Sequence, residues 1–213
     1  TEMEAVLPLE SETVTVALME AAGVRFVVNA DIGKDIPAAK LEEEYDSIIL
    51  ACGASQPRDI QAPGRDAAGI WFAVDFLGQV TKKLLDSDFA QFPLDMAQGK
   101  DVIVIGGGDT GNDCVGTCIR LGAASVTQLE MMPAPPVARA ENNPWPLWPR
   151  TLRTDYGQLE AIARQGADPR VYETTVKRII VEGDRIAAVE TVRLHGFDPV
   201  PGTERTLPCG LLL

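Results

Sequence analysis

At 213 residues, 46% hydrophobic and 23% charged, the chain can bury a sizeable core and has the composition of an α/β protein of one large or two small domains. Its formal net charge of −12 argues against nucleic acid and anionic membrane surfaces as partners, because both demand a basic face. Much of that charge is local: residues 1–46 hold eleven acids against three bases, which reads as an acidic, solvated surface.

No apolar run approaches the roughly 18–20 residues that span a bilayer. The start, TEMEAVLPLE, is acidic and lacks the basic and apolar regions of a secretory signal. Cys52, Cys114, Cys118 and Cys209 form no C-x-x-C pair, so no metal or disulfide role is expected, and the chain reads as reduced and cytoplasmic.

In chain order, Ser11 is expected to cap a first helix, with Glu12 in its first turn and Val14, Leu18 and Ala21 on one face. Gly23 stops it. GVRFVVNA (residues 23–30) reads as a strand, because its aromatic and β-branched side chains suit a pleated surface. An acidic loop follows. YDSIILACGA (45–54) reads as a second strand whose apolar run suits a parallel sheet covered on both faces. Pro57, Pro63, Gly64 and Gly69 then mark a boundary, which divides the chain into residues 1–60 and 61–213.

Asp75 is expected to cap a helix through Leu85, burying Phe76, Leu77, Val80 and Leu84. A strand over 101–105, a glycine turn, a helix over 109–121 and a strand over 124–130 make one βαβ unit. The segment MMPAPPVARAENNPWPLWPR carries six prolines and two tryptophans, so neither a regular helix nor a central strand fits it. It reads as an ordered loop rather than a polyproline ligand, since Trp145 and Trp148 would be wasted in a solvated tail. A helix over 155–165 closed by Gly166 and a hairpin, VYETTVKRIIV with RIAAVETVRL, follow. Leu211 to Leu213 end the chain inside a strand.

Gly106, Gly108 and Gly111 fit G-x-G-x-x-G between a strand and a helix. The first allows the tight turn, the second a close approach of pyrophosphate, and the third close packing of helix on strand. Free N–H groups at the helix start would meet the phosphates. Glu130, at the end of the next strand, would accept hydrogen bonds from ribose hydroxyls and by itself favours NADH, whereas Arg139 could answer the 2′-phosphate of NADPH. Asp109 is expected to cap the helix or order the loop, and His195 to be structural. No residue joins a recognisable acid–base constellation, so no catalytic side chain is assigned. A hydride passing between nicotinamide and flavin needs alignment more than it needs a base.

Three segments carry a family resemblance: VIVIGGGDTGNDCVGTCIRLGAASVTQLE, NPWPLWPRTLRTDYGQLEA and DPRVYETTVKRI. Together the chain, from about Leu7 onward, resembles the small (beta) subunit of glutamate synthase, a flavoprotein oxidoreductase with two nested dinucleotide-binding folds. The resemblance implies a Rossmann-like parallel sheet with a β-hairpin or meander insertion, at 61–213, flanked by part of an FAD-type fold at 1–60. Tyr45, Asp46, Ala51, Gly53 and Ala54 match the crossover strand between the two folds, with Gly53 and Ala54 nearing the nicotinamide side. Gly106, Gly107, Gly108, Asp109, Thr110 and Gly111 match the pyrophosphate turn and Glu130 the ribose position, while Asn143 and Trp145 match the family's loop.

The implied activity of the full-length subunit is that of a reductase in glutamate biosynthesis. NADPH or NADH reduces FAD, iron–sulfur clusters outside this chain carry the electrons on, and the large (alpha) subunit makes glutamate from glutamine and 2-oxoglutarate. The FAD fold's own glycine turn and its flavin-contacting G-D segment are expected outside residues 1–213, so this region alone is expected to be inactive. A related flavoprotein with another acceptor, and a non-catalytic NAD(H)-sensing module, remain alternatives.

Overall fold

The computed structural model describes residues 8–53 and 56–213, and the chain divides into two compact units, Thr1–Ser55 and Gln56–Leu213. In the first unit, helices α1 (Pro8–Ala21) and α2 (Ala38–Glu44) are the regular elements among the described residues. Ser11 therefore lies within α1 rather than at its cap. The segment read as an acidic loop contains α2, whose Leu41, Glu42, Glu43 and Glu44 are good helix formers.

Neither strand expected in this unit forms. Residues 24–28 and 47–53 carry no ladder, and the only bridge among the unit's described residues joins Ile32 to Ile36. The physical reason is pairing: a strand closes its hydrogen bonds on a neighbour, and the apolar runs have none here. Their side chains accordingly face outward, with Val28 78%, Ile49 90% and Leu50 85% exposed.

The second unit begins with α3 (Ala73–Asp86), whose stripe is as expected: Phe76 and Val80 are buried, and Leu77 and Leu84 pack against the same core. Its N-cap is Phe72, not Asp75, which sits within the first turn where a carboxylate complements the positive end of the helix. A short 3₁₀ turn over Leu94–Met96 leads to β1 (Asp101–Ile105), α4 (Asp109–Arg120), β2 (Ser125–Leu129), α5 (Tyr156–Gln165) and β3 (Arg170–Val171). An antiparallel meander follows: β4 (Thr174–Glu182), β5 (Arg185–His195), β6 (Asp198–Pro199) and β7 (Arg205–Pro208). The chain then returns in β8 (Leu211–Leu212).

The parallel sheet runs β3-β2-β1-β8, with Val102 opposite both Val126 and Leu211. Alternation along β1 sorts its side chains into two cores. Val102 and Val104 meet Phe76 of α3, Cys114, Val115 and Cys118 of α4, and Ala161 of α5. Ile103 turns the other way and meets Val176, Ile179, Ile186 and Val189 of the meander, together with Leu129 and Leu212. The sheet is thus the middle of three layers, which explains why β1 is apolar on both faces. Burying each such side chain contributes about 1.5–3 kcal/mol.

This strand order places a topological switch beside β1. The chain moves from β1 to β2 on one side and returns to β8 on the other, so a crevice opens at the carboxyl ends of β1 and β8. His195 closes β5 on an exposed end. Among the described residues no helix is long and apolar enough to cross a membrane.

Candidate functional site

The carboxyl end of β1 delivers the chain into the glycine turn at that crevice. Gly106 takes φ 112°, a left-handed backbone that L side chains rarely adopt. Gly108 is the N-cap of α4, extended and without a side-chain cap. Asp109 is therefore the first helical residue and does not cap the helix. The N–H groups of Asp109, Thr110 and Gly111 lack acceptors within the helix, and residues 107–110 are exposed. A Cβ added at Gly108 would meet nothing within 4 Å, so open space stands above the helix start. At Gly111 a Cβ would run into the Gly106 carbonyl and come 2.8 Å from Gln128 Nε2, so this position is fixed by packing.

Glu130 reaches the turn directly. Its Oε2 accepts the Gly107 N–H at 2.7 Å and its Oε1 accepts the Met132 N–H at 2.7 Å. The carboxylate therefore orders the turn. Two strand positions earlier, Gln128 Nε2 donates to the Gly106 carbonyl at 2.9 Å.

Behind the turn, α4 and α5 cross through glycines. A Cβ on Gly116 would sit 3.1 Å from the Gly157 Cα, and one on Gly157 would strike the Asn112 carbonyl. Tyr156 donates its hydroxyl proton to Asp113 Oδ1 at 2.5 Å, and Arg120 Nη1 clasps both carboxylate oxygens of Glu160 at 2.8 and 2.9 Å. Burial, and then the bond to Asp113, push the Tyr156 phenol above its ordinary value. Asp155 and Gln158 form a reciprocal capping box at the start of α5, and Gly166 ends it in the left-handed conformation.

Arg139 and Asn143 organise the proline- and tryptophan-rich loop. Arg139 Nη1 donates to the Asn143 and Leu147 carbonyls at 3.0 and 2.9 Å. Asn143, nearly buried, donates Nδ2 to the Trp148 carbonyl at 2.9 Å and accepts the Arg150 N–H at 2.8 Å. The tryptophans do not supply the order: Trp145 is 83% and Trp148 73% exposed, the latter with the Arg153 guanidinium 4.7 Å from its ring centroid. Arg139 is thus engaged within its own loop.

The structure brings Gly106 to Gly111 and Glu130 into one site. Gly53, at φ 68° with open space around it, belongs to the first unit, and Ala54 lies outside the described residues. Sequence reading missed Gln128, Gln158 and Asn112. The signal for the first was a glutamine in an otherwise apolar strand; for the second, the D-x-x-Q spacing of a capping box.

Residues 7–144 match the family described as pyridine nucleotide-disulphide oxidoreductase. The chain is 41% identical over 207 residues to the protein named glutamate synthase [NADPH] small chain of Bacillus subtilis, covering 92% of this chain and 42% of that protein. It is 46% identical over 183 residues to the one named glutamate synthase [NADH] of Schizosaccharomyces pombe, covering 84% of this chain and 9% of that one. Among solved structures, thioredoxin reductase from Giardia duodenalis is 17% identical with TM-score 0.44, over 73% of this chain and 38% of that one. The chain thus spans less than half the length of each.

Proposed function

The chain belongs to the pyridine nucleotide-disulphide oxidoreductase family and matches a region of glutamate synthase small chains, and from that premise we propose that its second unit binds a nicotinamide dinucleotide as the electron input of a glutamate synthase. The observation that carries the reading is the open glycine turn at the carboxyl end of β1, with Gly108 unobstructed and the start of α4 bare. A diphosphate there meets the N–H groups of Gly108, Asp109, Thr110 and Gly111 and the positive end of the helix.

Glu130 keeps free lone pairs after accepting the Gly107 and Met132 N–H groups, so it serves the ribose hydroxyls. Its charge repels a 2′-phosphate, and Arg139 Nη1 is held by the Asn143 and Leu147 carbonyls. Together these favour NADH over NADPH. No acid or base in this site is needed, since the chain's contribution is to hold and align the coenzyme.

Residues 8–53 do not hold FAD by themselves. They contain Gly23, Gly33 and Gly53 but no G-x-G-x-x-G to cradle a second diphosphate. The flavin, the iron–sulfur clusters and the large subunit belong, in this reading, to the rest of the enzyme. By resemblance, Gly53 and Ala54 match the family's crossover segment.

Calorimetric titration of this chain with NADH, NADPH and FAD, repeated on the full-length subunit, tests the proposal. Saturable binding of NADH, tighter than NADPH and without FAD binding by the chain alone, is the expected result. If the full-length subunit bound neither nicotinamide coenzyme, the reading would be overturned.

A further inference from the structure

The peptide unit between Gly106 and Gly107 is held at both ends by one strand. Its carbonyl accepts Gln128 Nε2 at 2.9 Å, and its N–H donates to Glu130 Oε2 at 2.7 Å. Gln128 and Glu130 stand two apart in sequence, and both reach over the turn that follows β1, as side chains on one face of a strand do. Gln128 is fully buried, in a strand where a β-branched residue would suit both covered faces. A buried amide costs free energy unless every polar atom is met.

Here every one is met, by a chain of bonds that runs one way. The Asp155 N–H donates to Gln158 Oε1 at 2.8 Å, Gln158 Nε2 donates to Gln128 Oε1 at 3.2 Å, and Gln128 Nε2 donates to the Gly106 carbonyl. The Gln158 N–H also donates to Asn112 Oδ1 at 3.1 Å, and the Asn112 N–H closes the first turn of α4 on the Gly108 carbonyl at 3.0 Å. The start of α5 is thereby tied to both ends of the glycine turn. Hydrogen-bonding direction matters: turning the Gln128 amide over would set its oxygen against the Gly106 carbonyl, and turning the Gln158 amide over would set its oxygen against Gln128 Oε1.

We propose that Gln128 and Gln158 are positioning residues for the diphosphate: the relay from α5 fixes the Gly106–Gly107 peptide so that the Gly107 N–H turns to Glu130 and those of Gly108 to Gly111 are left for the ligand. The proposal rests on the nucleotide reading of this turn. Neither glutamine touches the ligand; both act through the backbone of the turn.

The test uses the full-length subunit, with ADP-ribose and AMP as probes, measured by calorimetry beside the melting temperature. Wild-type protein is expected to bind ADP-ribose, and its Gly107 amide to be protected from hydrogen exchange. Gln158→Met should weaken ADP-ribose about tenfold, the worth of one well-made hydrogen bond. It should weaken AMP, which presents a single phosphate, by less, and it should expose the Gly107 amide. An equal loss for both probes, or no loss, overturns the relay. So does a freely exchanging Gly107 amide in the wild type, which requires no variant to fold. Failure of wild-type protein to bind any nucleotide overturns the reading of the site and the relay with it, and that outcome is distinguished by arising before any substitution.

Discussion

Glu130 and Gly107 are joined by a 2.7 Å hydrogen bond from the backbone of the turn to the carboxylate at the end of β2. The acid that sequence spacing assigns to a ribose is therefore also a strut of the glycine turn. Charge and acceptor geometry can be separated by substitution. Glu130→Gln removes the charge and keeps one acceptor oxygen, which can hold the Gly107 N–H at the expense of the bond to Met132, so the glycine turn keeps its strut while repulsion of a 2′-phosphate falls. The expected outcome is a shift of about tenfold in the NADPH-to-NADH affinity ratio toward NADPH. Glu130→Ala should weaken both coenzymes together. Titration of both variants with both coenzymes decides it, and an unchanged ratio in Glu130→Gln would remove the electrostatic argument.

The glycines of the turn separate stability from binding. Gly111→Ala forces a Cβ into the Gly106 carbonyl and toward Gln128 Nε2, an overpacking that costs about 1–3 kcal/mol. Gly108→Ala adds its methyl to open space, at φ −81°, where any residue is at ease. It should melt like the wild type yet lose coenzyme affinity, because the methyl would stand where the proposed diphosphate approaches. Thermal melts paired with titrations read both effects. Equal affinity of Gly108→Ala and wild type would place the diphosphate elsewhere.

The same glycine turn was legible in the sequence because its signals are local. A strand, three spaced glycines and a helix need no distant partner to be recognised, and Gly166 marked the end of α5. The two strands expected near Val24–Val28 and Ile48–Leu50 failed for the opposite reason. Their composition suits a covered sheet, but a ladder depends on neighbours that this unit's described residues do not provide. The two-residue β3 is too short to show a period. The relay of Gln128 and Gln158 joins residues 30 apart in sequence through side-chain amides, and no spacing rule announces such a bond.

Thiol chemistry offers a count. Burial raises the thiols of Cys114 and Cys209 to about 12, helped in each case by a nearby aspartate charge, and burial beside Cys114 pushes Cys118 up further. Cys52 alone among the four is exposed. Native protein treated with an aromatic disulfide reagent at pH 8 should release one equivalent of thiolate quickly and the other three only after unfolding. Rapid release of more than one equivalent would contradict the burial of Cys114 and Cys118 on α4 or of Cys209 between β7 and β8.

Asn143 carries the proline-rich loop through bonds to Trp148 and Arg150, so Asn143→Ala leaves that carbonyl and that N–H without partners. A cost of about 1–3 kcal/mol is expected for the unsatisfied groups, borne by the loop rather than by the sheet. Limited proteolysis should then cut within residues 144–149 while the melting temperature of the sheet core changes little. Resistance equal to the wild type would show that the loop is held by other means.

The acid limb of stability is expected to depend on Asp168. The Arg170 guanidinium donates to its carboxylate through Nη2 at 2.6 Å and Nε at 2.9 Å, which holds the Asp168 carboxyl below its ordinary value against an opposing contribution from burial. A folded value below the unfolded one stabilises in full above the unfolded range, near 3.9, and the gain is lost as pH falls through the folded value. The Asp168 side chain is 43% exposed, so solvent screening limits the pair to about 1 kcal/mol or less. Asp168→Asn should therefore lower the urea midpoint at pH 7 and converge on the wild type as pH falls below the unfolded range and through the folded value. Arg170 stands opposite Gln128 in the parallel ladder, and it also donates to the Arg153 carbonyl and the Thr154 hydroxyl. The guanidinium thus secures the edge strand beside the buried amide, so parallel denaturation curves for both proteins at every pH would remove Asp168 from that anchor while leaving its backbone bonds in place.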